Sequence, residues 1–316
     1  MNPKAKILIT EPGDFSDAAI KILRTDADVT ISKIKNLQDA FKNFDVVWIR
    51  LSHKIDGEVL KGTIRCKIIV TPVTGIDHID ENLCRLKGVE IISLRGEADF
   101  LKEVRATAEL TVALTLTLIR NLFPAINSVL QGKWNRDKFR GNEIYDKKVG
   151  VIGMGRLGKI VSEYFKAFGA QVTGYDISGD FPENIERSES LEELITFSDI
   201  VTLHVNYTEA TENLIGENEF NFFKRDAVLV NTSRGGVIDE SALLTALESG
   251  KLKGAAIDVL REELNFSESN PLAEYARKNS NLIITPHLGG NTYESFEKTE
   301  ILLAKKLVSR LKELAV

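Results

Sequence analysis

Short runs of β-forming residues alternate with segments of helical period along nearly the whole chain. In residues 1–100 the runs KILIT, DVTIS, DVVWIRL, KIIVT and VEIISL are separated by segments such as SDAAIKILRTDA and DGEVLKG, which we expect to be helical. Parallel strands need a crossover connection between them, and a helix usually supplies it. The alternation therefore predicts βαβ units and a parallel sheet.

A second α/β unit is expected after a long helical pattern. That pattern runs from about Glu103 to Gln131, and we expect it to break near Pro124, because proline removes a backbone donor within a helix. The alternation then restarts at KKVGVIG and continues through AQVTGYD, DIVTLHV, AVLVNTS, GAAIDV and NLIITP, before a final amphipathic helix. Because 316 residues exceed what one hydrophobic core usually serves, we predict two domains, the second larger than the first.

Composition and charge narrow the class of protein. The chain is 43% hydrophobic and 28% charged, and its net charge of −5 argues against a nucleic-acid binder. Cys66 and Cys84 match neither a disulfide framework nor a metal spacing, so we expect a cytoplasmic protein without a metal site. No targeting segment or membrane span is expected, since the most apolar stretch, residues 110–119, is about half the length that crosses a bilayer.

The stretch VGVIGMGRLGKI has the pattern of a dinucleotide-binding turn. Gly153, Gly155 and Gly158 form G-x-G-x-x-G between a short apolar strand and a helix, which permits a tight turn, approach of a pyrophosphate and close packing of helix on strand. Asp176 ends the next strand, where its carboxylate can accept hydrogen bonds from ribose hydroxyls and repel a 2′-phosphate. A glycine turn used only for packing would leave Asp176 unexplained. We therefore predict NAD as the cofactor, with the binding set Gly153, Gly155, Arg156, Leu157, Gly158 and Asp176.

Three later strands are each followed by residues suited to acid–base chemistry or anion binding. VLVNTSRGG supplies Arg234, GAAIDVLREE supplies Asp258 and then Glu262 or Glu263, and LIITPH supplies His287. Each of these residues alone is ordinarily a surface charge or a structural histidine. Because ligands bind beyond the carboxyl ends of parallel strands, their occurrence together in a dinucleotide-binding sheet favours a catalytic role.

The chemistry of hydride transfer accounts for this combination of side chains. Oxidising a hydroxyl by hydride loss to nicotinamide requires a proton acceptor, and the reverse reduction requires a donor, and histidine serves both near neutrality. A carboxylate on its other ring nitrogen would orient the ring and stabilise its charged form. Arginine offers a bidentate fork for a carboxylate. The set therefore predicts a 2-hydroxy acid or 2-oxo acid as the substrate.

At this point the chain resembles the D-isomer-specific 2-hydroxyacid dehydrogenases over nearly its whole length. ATAELTVALTLTLIRN looks like the long interdomain helix of that family, VGVIGMGRLGK like its glycine turn and SDIVTLHV like its mid-domain strand, while VNTSRGGVIDESAL, GAAIDV and TPHLGG look like its three catalytic blocks. The resemblance implies that Arg234 binds the substrate carboxylate and polarises the carbonyl, that His287 is the acid/base and that Glu263 is its partner. It implies three further cofactor contacts, at His204, Thr232 and Asp258.

The resemblance also implies a fold and an assembly. We expect two Rossmann- or flavodoxin-like parallel-sheet domains, with the NAD domain, residues 101–287, inserted into a substrate domain of residues 1–100 and 288–316. A cleft between the two domains that closes by hinge motion, and a homodimer formed through the nucleotide domain, are expected.

The substrate loop is expected in the first domain. In VTGIDHID, Thr74 and Gly75 would offer backbone N–H groups to the substrate carboxylate. Arg50, with Lys54, lies where phosphoglycerate dehydrogenases carry basic residues for the phosphate, although ordinary loop charge is the alternative. The substrates left open are D-lactate, D-glycerate with hydroxypyruvate or glyoxylate, and D-3-phosphoglycerate; D-3-phosphoglycerate and the glycerate group are preferred.

Several positions depart from the family pattern. Leu260 stands where an aromatic residue is usual, and Leu264 replaces the proline that follows the catalytic glutamate, which keeps Glu262 open as an alternative to Glu263. The family's proline after LH-x is absent, with Asn206 and Tyr207 in its place. A glutamate partner for the histidine argues against formate dehydrogenase activity. A non-enzymatic NAD(H)-sensing corepressor on the same fold stays open as well, since such relatives can retain the Arg, Glu and His set.

Overall fold

The computed structural model of the protein describes residues 4–34, 36–178 and 181–314. The chain divides into two compact units, one of residues 1–104 and 291–316 and the other of residues 105–290. The boundaries expected from the sequence, after residues 100 and 287, lie a few positions earlier. Residues 1–3, 35, 179–180 and 315–316, which the predicted domains include, lie outside the described residues.

The described part of the first unit contains a five-stranded parallel sheet in the order β2-β1-β3-β4-β5. The strands are β1 (Ala5–Ile9), β2 (Ala27–Ile31), β3 (Val46–Trp48), β4 (Ile68–Val70) and β5 (Glu90–Ile92). The helices are α1 (Asp17–Leu23), α2 (Leu37–Asn43), α3 (Glu81–Leu86), α4 (Ala98–Leu101) and the C-terminal α12 (Tyr293–Leu314). The predicted parallel sheet is confirmed, but DGEVLKG is an exception, since residues 57–60 form a turn and not a helix.

The final helix completes the core of the first unit. Leu303 and Leu307 of α12 are fully buried beside Ile7 and Trp48 of the sheet. The expected amphipathic helix is therefore present and its apolar face covers one side of the first sheet. The chain returns to its first unit by this helix, as expected for an inserted second domain.

Within its described residues, the second unit contains seven parallel strands in the order β12-β11-β10-β9-β6-β7-β8. The strands are β6 (Lys148–Ile152), β7 (Gln171–Tyr175), β8 (Glu186–Arg187), β9 (Ile200–Leu203), β10 (Val228–Asn231), β11 (Gly254–Ile257) and β12 (Leu282–Ile284). The helices are α5 (Ala106–Ile119), α6 (Leu122–Leu130), α7 (Arg156–Ala167), α8 (Leu191–Phe197), α9 (Glu217–Phe222), α10 (Glu240–Glu248) and α11 (Pro271–Lys278). Two buried apolar clusters form the core of this unit.

The predicted long helix is interrupted earlier than expected. The break falls at Asn121, whose φ of 52° is left-handed, and Pro124 lies inside the first turn of α6. A proline is tolerated there because the first N–H groups of a helix have no helical acceptor. The break expected near Pro124 is therefore present, but Asn121 and not the proline makes it. Among the described residues no single helix is long and apolar enough to cross a membrane, although the bent pair 98–119 and 122–130 passes that test on length and composition.

Candidate active site

The strand order of the second unit places the predicted site residues along one edge of its sheet. Six of the strands lie side by side in the order β12, β11, β10, β9, β6 and β7. Each end is followed by at least one of those residues: His287 after β12, Asp258 and Glu263 after β11, Thr232 and Arg234 after β10, His204 after β9, the glycine turn after β6 and Asp176 after β7. Because all these strands are parallel, their carboxyl ends meet at the same edge, where a ligand binds in such sheets.

The glycine turn after β6 has no room for side chains at two of its three glycines. Gly153 has a φ of 93°, and a β-carbon there would lie 2.6 Å from the backbone oxygen of His204. A β-carbon on Gly158 would lie 1.9 Å from the backbone oxygen of Gly153. At Gly155, which caps α7, a β-carbon would point into open space, so its absence leaves room for a ligand at the N-terminus of the helix. This geometry fits the pyrophosphate of a dinucleotide.

Asp176 ties the glycine turn to the end of β7. Its Oδ2 accepts the backbone N–H of Met154 at 2.6 Å, and its Oδ1 accepts the backbone N–H of Ser178 at 2.7 Å. Each carboxylate oxygen can accept a second hydrogen bond, so the group can still receive ribose hydroxyls. In the first turn of α7, burial lowers the pKa of the Arg156 guanidinium, and Leu157 packs against the core.

His287 and Glu263 form a hydrogen-bonded pair. Nδ1 of His287 lies 2.7 Å from Oε1 of Glu263, and both side chains are half-buried. An ionised carboxylate can only accept, so Nδ1 carries the proton and donates it, which leaves Nε2 for a substrate. Glu262 does not make this contact, because its Oε2 accepts from the side chain of Asn265 at 3.2 Å. Of the two candidates left open by the sequence, the structure brings Glu263 to the histidine.

Asp258 holds the loop that carries His287. Its carboxylate accepts from the hydroxyl of Thr285 at 2.5 Å and from the backbone N–H groups of Leu288 and Gly289 at 2.8 Å each. His287 itself has a φ of 55° and donates its backbone N–H to the carbonyl oxygen of Asp258 at 2.8 Å. Burial raises the pKa of the Asp258 carboxyl, while these hydrogen bonds act in the opposite direction. The contact of Asp258 with the nicotinamide stays a prediction.

Arg234 follows β10 at the start of a short 3₁₀ turn. Its backbone oxygen accepts from the side-chain amide of Asn231 at 2.9 Å, and its Nη1 donates to the backbone oxygen of Ser233 at 3.0 Å. The oxygen of the same Asn231 side chain accepts from the backbone N–H and the hydroxyl of Ser233. The loop that presents the guanidinium is thus held to the strand end through several hydrogen bonds.

Thr232 and His204 are each tied to a neighbouring threonine. The hydroxyl of Thr111 donates its one hydrogen to the backbone oxygen of Thr107. In the 2.8 Å contact between the hydroxyls of Thr111 and Thr232, the donor is therefore Thr232. Nε2 of His204 lies 2.9 Å from the hydroxyl of Thr202. Burial lowers the pKa of His204 to about 3, so its ring is neutral at physiological pH. The contacts of His204 and Thr232 with the cofactor stay predictions.

In the first unit the substrate loop and Arg50 differ in exposure to solvent. Thr74 is exposed and Gly75 half-buried in the loop after β4. Nη2 of Arg50 lies 2.5 Å from Oε1 of Glu300, the guanidinium stacks 4.0 Å from the ring centre of Phe296, and the side chain is only 13% exposed. Burial raises the pKa of the Glu300 carboxyl, which Arg50 opposes. The substrate role of Arg50 stays a prediction, and the structure shows its charge paired with Glu300 inside the unit.

The departures from the family pattern leave the His–Glu pair intact. Leu260 is buried in the core of the second unit, and Leu264 is exposed. The ring of Tyr207 packs on Gly236, where a β-carbon would lie 2.5 Å from it. Over the described residues no group of three or more His, Cys, Asp or Glu side chains is placed to hold a metal ion.

Known proteins similar to this chain include several dehydrogenases of 2-hydroxy acids. The family model described as "D-isomer specific 2-hydroxyacid dehydrogenase, NAD binding domain" matches residues 112–289. D-3-phosphoglycerate dehydrogenase of Methanocaldococcus jannaschii is 35% identical over 309 residues, which are 96% of this chain and 56% of that protein. Glycerate dehydrogenase of Methylorubrum extorquens is 31% identical over 309 residues, covering 91% of this chain and 93% of the relative.

A solved structure supports the same grouping. D-lactate dehydrogenase of Aquifex aeolicus, complexed with NAD and lactic acid, superposes with a TM-score of 0.84 at 28% identity, covering 98% of this chain and 96% of that one. The chain spans little more than half the length of the first curated relatives, at 56%, 58% and 53%. The names of these relatives specify different 2-hydroxy acids, so the comparisons do not choose between substrates.

Proposed function

Because the chain belongs to the D-isomer-specific 2-hydroxyacid dehydrogenase family, we propose that it is an NAD-dependent oxidoreductase that interconverts a small D-2-hydroxy acid and its 2-oxo acid. The observation that carries the proposal is the His287–Glu263 pair, 2.7 Å apart beside the strand end of Arg234. The glycine turn and Asp176 supply a dinucleotide site on the same sheet edge.

The histidine moves the proton of the reaction. Nδ1–H of His287 donates to Glu263, so Nε2 takes the hydroxyl proton during oxidation and returns it to the carbonyl oxygen during reduction. The carboxylate of Glu263 stabilises the imidazolium that forms and keeps the ring in one tautomer. Both residues therefore act in both directions of the reaction.

The arginine and the glycine turn bind the two reactants. Arg234 offers a permanently charged, planar fork to the substrate carboxylate and draws electron density from the adjacent carbonyl. The turn from Gly153 to Gly158 would hold the pyrophosphate of NAD, and Asp176 its adenosine ribose. When bound, NAD supplies or accepts the hydride.

For the substrate we propose D-3-phosphoglycerate or D-glycerate, with the corresponding oxo acids and glyoxylate. The names of curated relatives support both kinds, since phosphoglycerate, glycerate, hydroxypyruvate and glyoxylate enzymes all match the chain. The ion pair of Arg50 with Glu300 removes one argument for a phosphorylated substrate. Thr74 and Gly75 remain proposed ligands of the substrate carboxylate.

Turnover tests this proposal. Purified protein is incubated with NADH and pyruvate, glyoxylate, hydroxypyruvate or phosphohydroxypyruvate, and NADH oxidation is followed. Turnover on at least one acid is expected, and the ranking names the substrate. NADH binding without turnover on any of them would favour the corepressor alternative. His287→Ala should lower kcat by roughly 100- to 10,000-fold while NADH still binds.

We propose further that the protein is a homodimer formed through the second unit. Helix α6 has no buried residue, and its large apolar side chains are exposed together with the nearby Trp134. The exposed members are Leu122, Phe123, Ile126, Val129 and Leu130. A contiguous apolar surface of this kind marks a contact site on a water-soluble unit, and a second copy of the chain is the proposed occupant.

A further inference from the structure

Arg261 lies between the end of β11 and Glu263, and neighbouring loops hold its side chain. Nη1 donates to Oε1 of Glu212 at 2.8 Å. Nη2 donates to the side-chain oxygen of Asn213 and, at 3.2 Å, to the backbone oxygen of Gly236. The hydrogen bond with Glu212 raises the pKa of the guanidinium, so the cation persists throughout the working range of pH.

The backbone at Arg261 packs directly on the turn that follows Arg234. A β-carbon on Gly235 would lie 2.0 Å from the carbonyl carbon of Leu260 and 2.3 Å from the backbone nitrogen of Arg261. Position 235 therefore has no room for a side chain, and the two backbones are in contact. The segment that leads to Glu263 is in this way placed against the segment that presents Arg234.

A third segment, residues 212–215, contacts the turn that follows Arg234. The backbone N–H of Asn213 donates to the oxygen of Gly236 at 2.9 Å, and that of Ile215 donates to the oxygen of Val237 at 3.1 Å. Asn213 has a φ of 50°, and its side-chain oxygen accepts from Arg261 while its backbone N–H donates to Gly236. The guanidinium of Arg261 contacts residues 212–213 and Gly236, and its backbone packs on Gly235, so Arg261 joins both neighbouring segments to its own.

On the basis of the proposed function, we propose that Arg261 is a positioning residue, which sets the carboxylate of Glu263 against His287 by holding residues 260–263 on the turn after Arg234. The ion pair with Glu212 is partly exposed, and such pairs contribute little to stability. The geometry of an acid–base pair is far more demanding, because small displacements of reacting groups lower the rate strongly. The consequence of losing Arg261 is therefore kinetic.

The test compares Arg261→Ala with Arg225→Ala. Arg225 is an exposed arginine that precedes β10, at the opposite end of the same strand from Arg234. Arg261→Ala should lower kcat about 10- to 100-fold, with the dissociation constant of NADH within about twofold of wild type, whereas Arg225→Ala should match wild type. Glu212→Gln should also lower kcat, but by a smaller factor. This variant replaces Arg261→Ala in the test if Arg261→Ala does not fold.

Two further readouts separate positioning from simple support of the fold. The pH at which reduction falls to half its maximum should move lower in Arg261→Ala, because a displaced carboxylate stabilises the imidazolium less, and Arg261→Lys should restore part of the change. Combined with Glu263→Gln, Arg261→Ala should add almost no further loss in kcat, since both act through one contact.

Specific results overturn the inference. Wild-type kcat and pH profile in Arg261→Ala, or losses that multiply fully in the double variant, would show that Arg261 does not act through Glu263. Failure of the proposed function is a different result, because then the wild-type protein itself turns over none of the 2-oxo acids.

Discussion

Oδ2 of Asp258 accepts a hydrogen bond from the backbone N–H of Gly289 at 2.8 Å. The carboxylate at the end of one strand therefore holds the loop that follows the next strand, and this loop carries His287. In Asp258→Asn one acceptor oxygen becomes an NH₂ group, so a loop N–H loses its partner at a cost of about 1–3 kcal/mol. We expect kcat to fall by up to about 100-fold because the histidine shifts.

Steady-state kinetics and an NADH titration distinguish this anchoring role of Asp258 from a cofactor contact. A fall in kcat with the dissociation constant of NADH nearly unchanged supports the anchor. Weaker NADH binding with an unchanged kcat would contradict it and would favour the nicotinamide contact that the family resemblance implies.

Glu262 and Glu263 form a matched pair for testing the histidine partner. Glu263→Gln should lower kcat about 10- to 100-fold, because a neutral amide stabilises the imidazolium less and can donate to Nδ1, which favours the wrong tautomer. Glu262→Gln should retain wild-type kcat, since its side chain contacts Asn265 instead. Equal losses in the two variants would contradict the pairing seen in the structure.

The parts of the site that lie within one βαβ unit could be predicted from the sequence. Gly153 and Asp176 belong to consecutive segments whose spacing is set by local geometry, so pattern and physical reason coincide. The alternation of strands and helices likewise predicted parallel sheets. The cause of the break in the long helix was wrong, because the left-handed turn at Asn121 has a weaker signal than Pro124, which the first turn of a helix accommodates.

Contacts made across the fold could not be predicted in the same way. The sequence around Arg50 indicates an unpaired loop cation. In the structure it pairs with Glu300, which lies 250 positions later in the chain. The choice between Glu262 and Glu263 depends on the short 3₁₀ turn at 263–265, since neighbouring side chains point in different directions. Arg261 carried no signal at all, because its acceptors lie in two loops from other parts of the chain.

The buried pair of Arg50 and Glu300 is expected to stabilise the first unit and not to select a substrate. Glu300→Gln leaves the guanidinium without its counter-charge and should lower the free energy of unfolding by about 3–5 kcal/mol, whereas Arg50→Met with Glu300→Leu should recover most of that loss. Fluorescence of the buried Trp48 during urea unfolding reports on this unit.

Kinetics of the Arg50→Met/Glu300→Leu protein test the substrate side of the same question. The ratio of KM for phosphohydroxypyruvate to KM for hydroxypyruvate should stay at its wild-type value. A selective rise in KM for the phosphorylated acid would contradict the structural role and restore Arg50 as a phosphate ligand.

The exposed apolar surface of α6 predicts the oligomeric state. Leu130→Glu places a charge on that surface and should convert a dimer into a monomer, as measured by light scattering on a sizing column. Leu86→Glu is the control, since Leu86 is 82% exposed in the first unit and Leu130 is 80% exposed. A wild-type monomer, or a Leu130→Glu dimer of undiminished affinity, would contradict the proposed contact.

Burial of His204 predicts how the stability of the second unit depends on pH. Burial lowers the pKa of this ring to about 3 from 6.5, so between these values the unfolded chain binds a proton that the folded protein does not. The neutral ring therefore contributes fully to the free energy of unfolding above pH 6.5, and this contribution is lost as the pH falls. The loss is about 1.4 kcal/mol per pH unit below 6.5, which amounts to about 2 kcal/mol between pH 7 and pH 5.

His204→Gln removes this titratable group. The free energy of unfolding of the second unit should then fall by about 2 kcal/mol less between pH 7 and pH 5 than in wild type. Hydrogen exchange of the β9 amides, corrected for intrinsic rates at each pH, measures it without contribution from the first unit. The variant should be less stable than wild type at pH 7, because the hydrogen bond to Thr202 is altered, and the difference should narrow toward pH 5. Parallel pH curves for the two proteins would show that the ring is protonated equally in the folded and unfolded states, contrary to its burial.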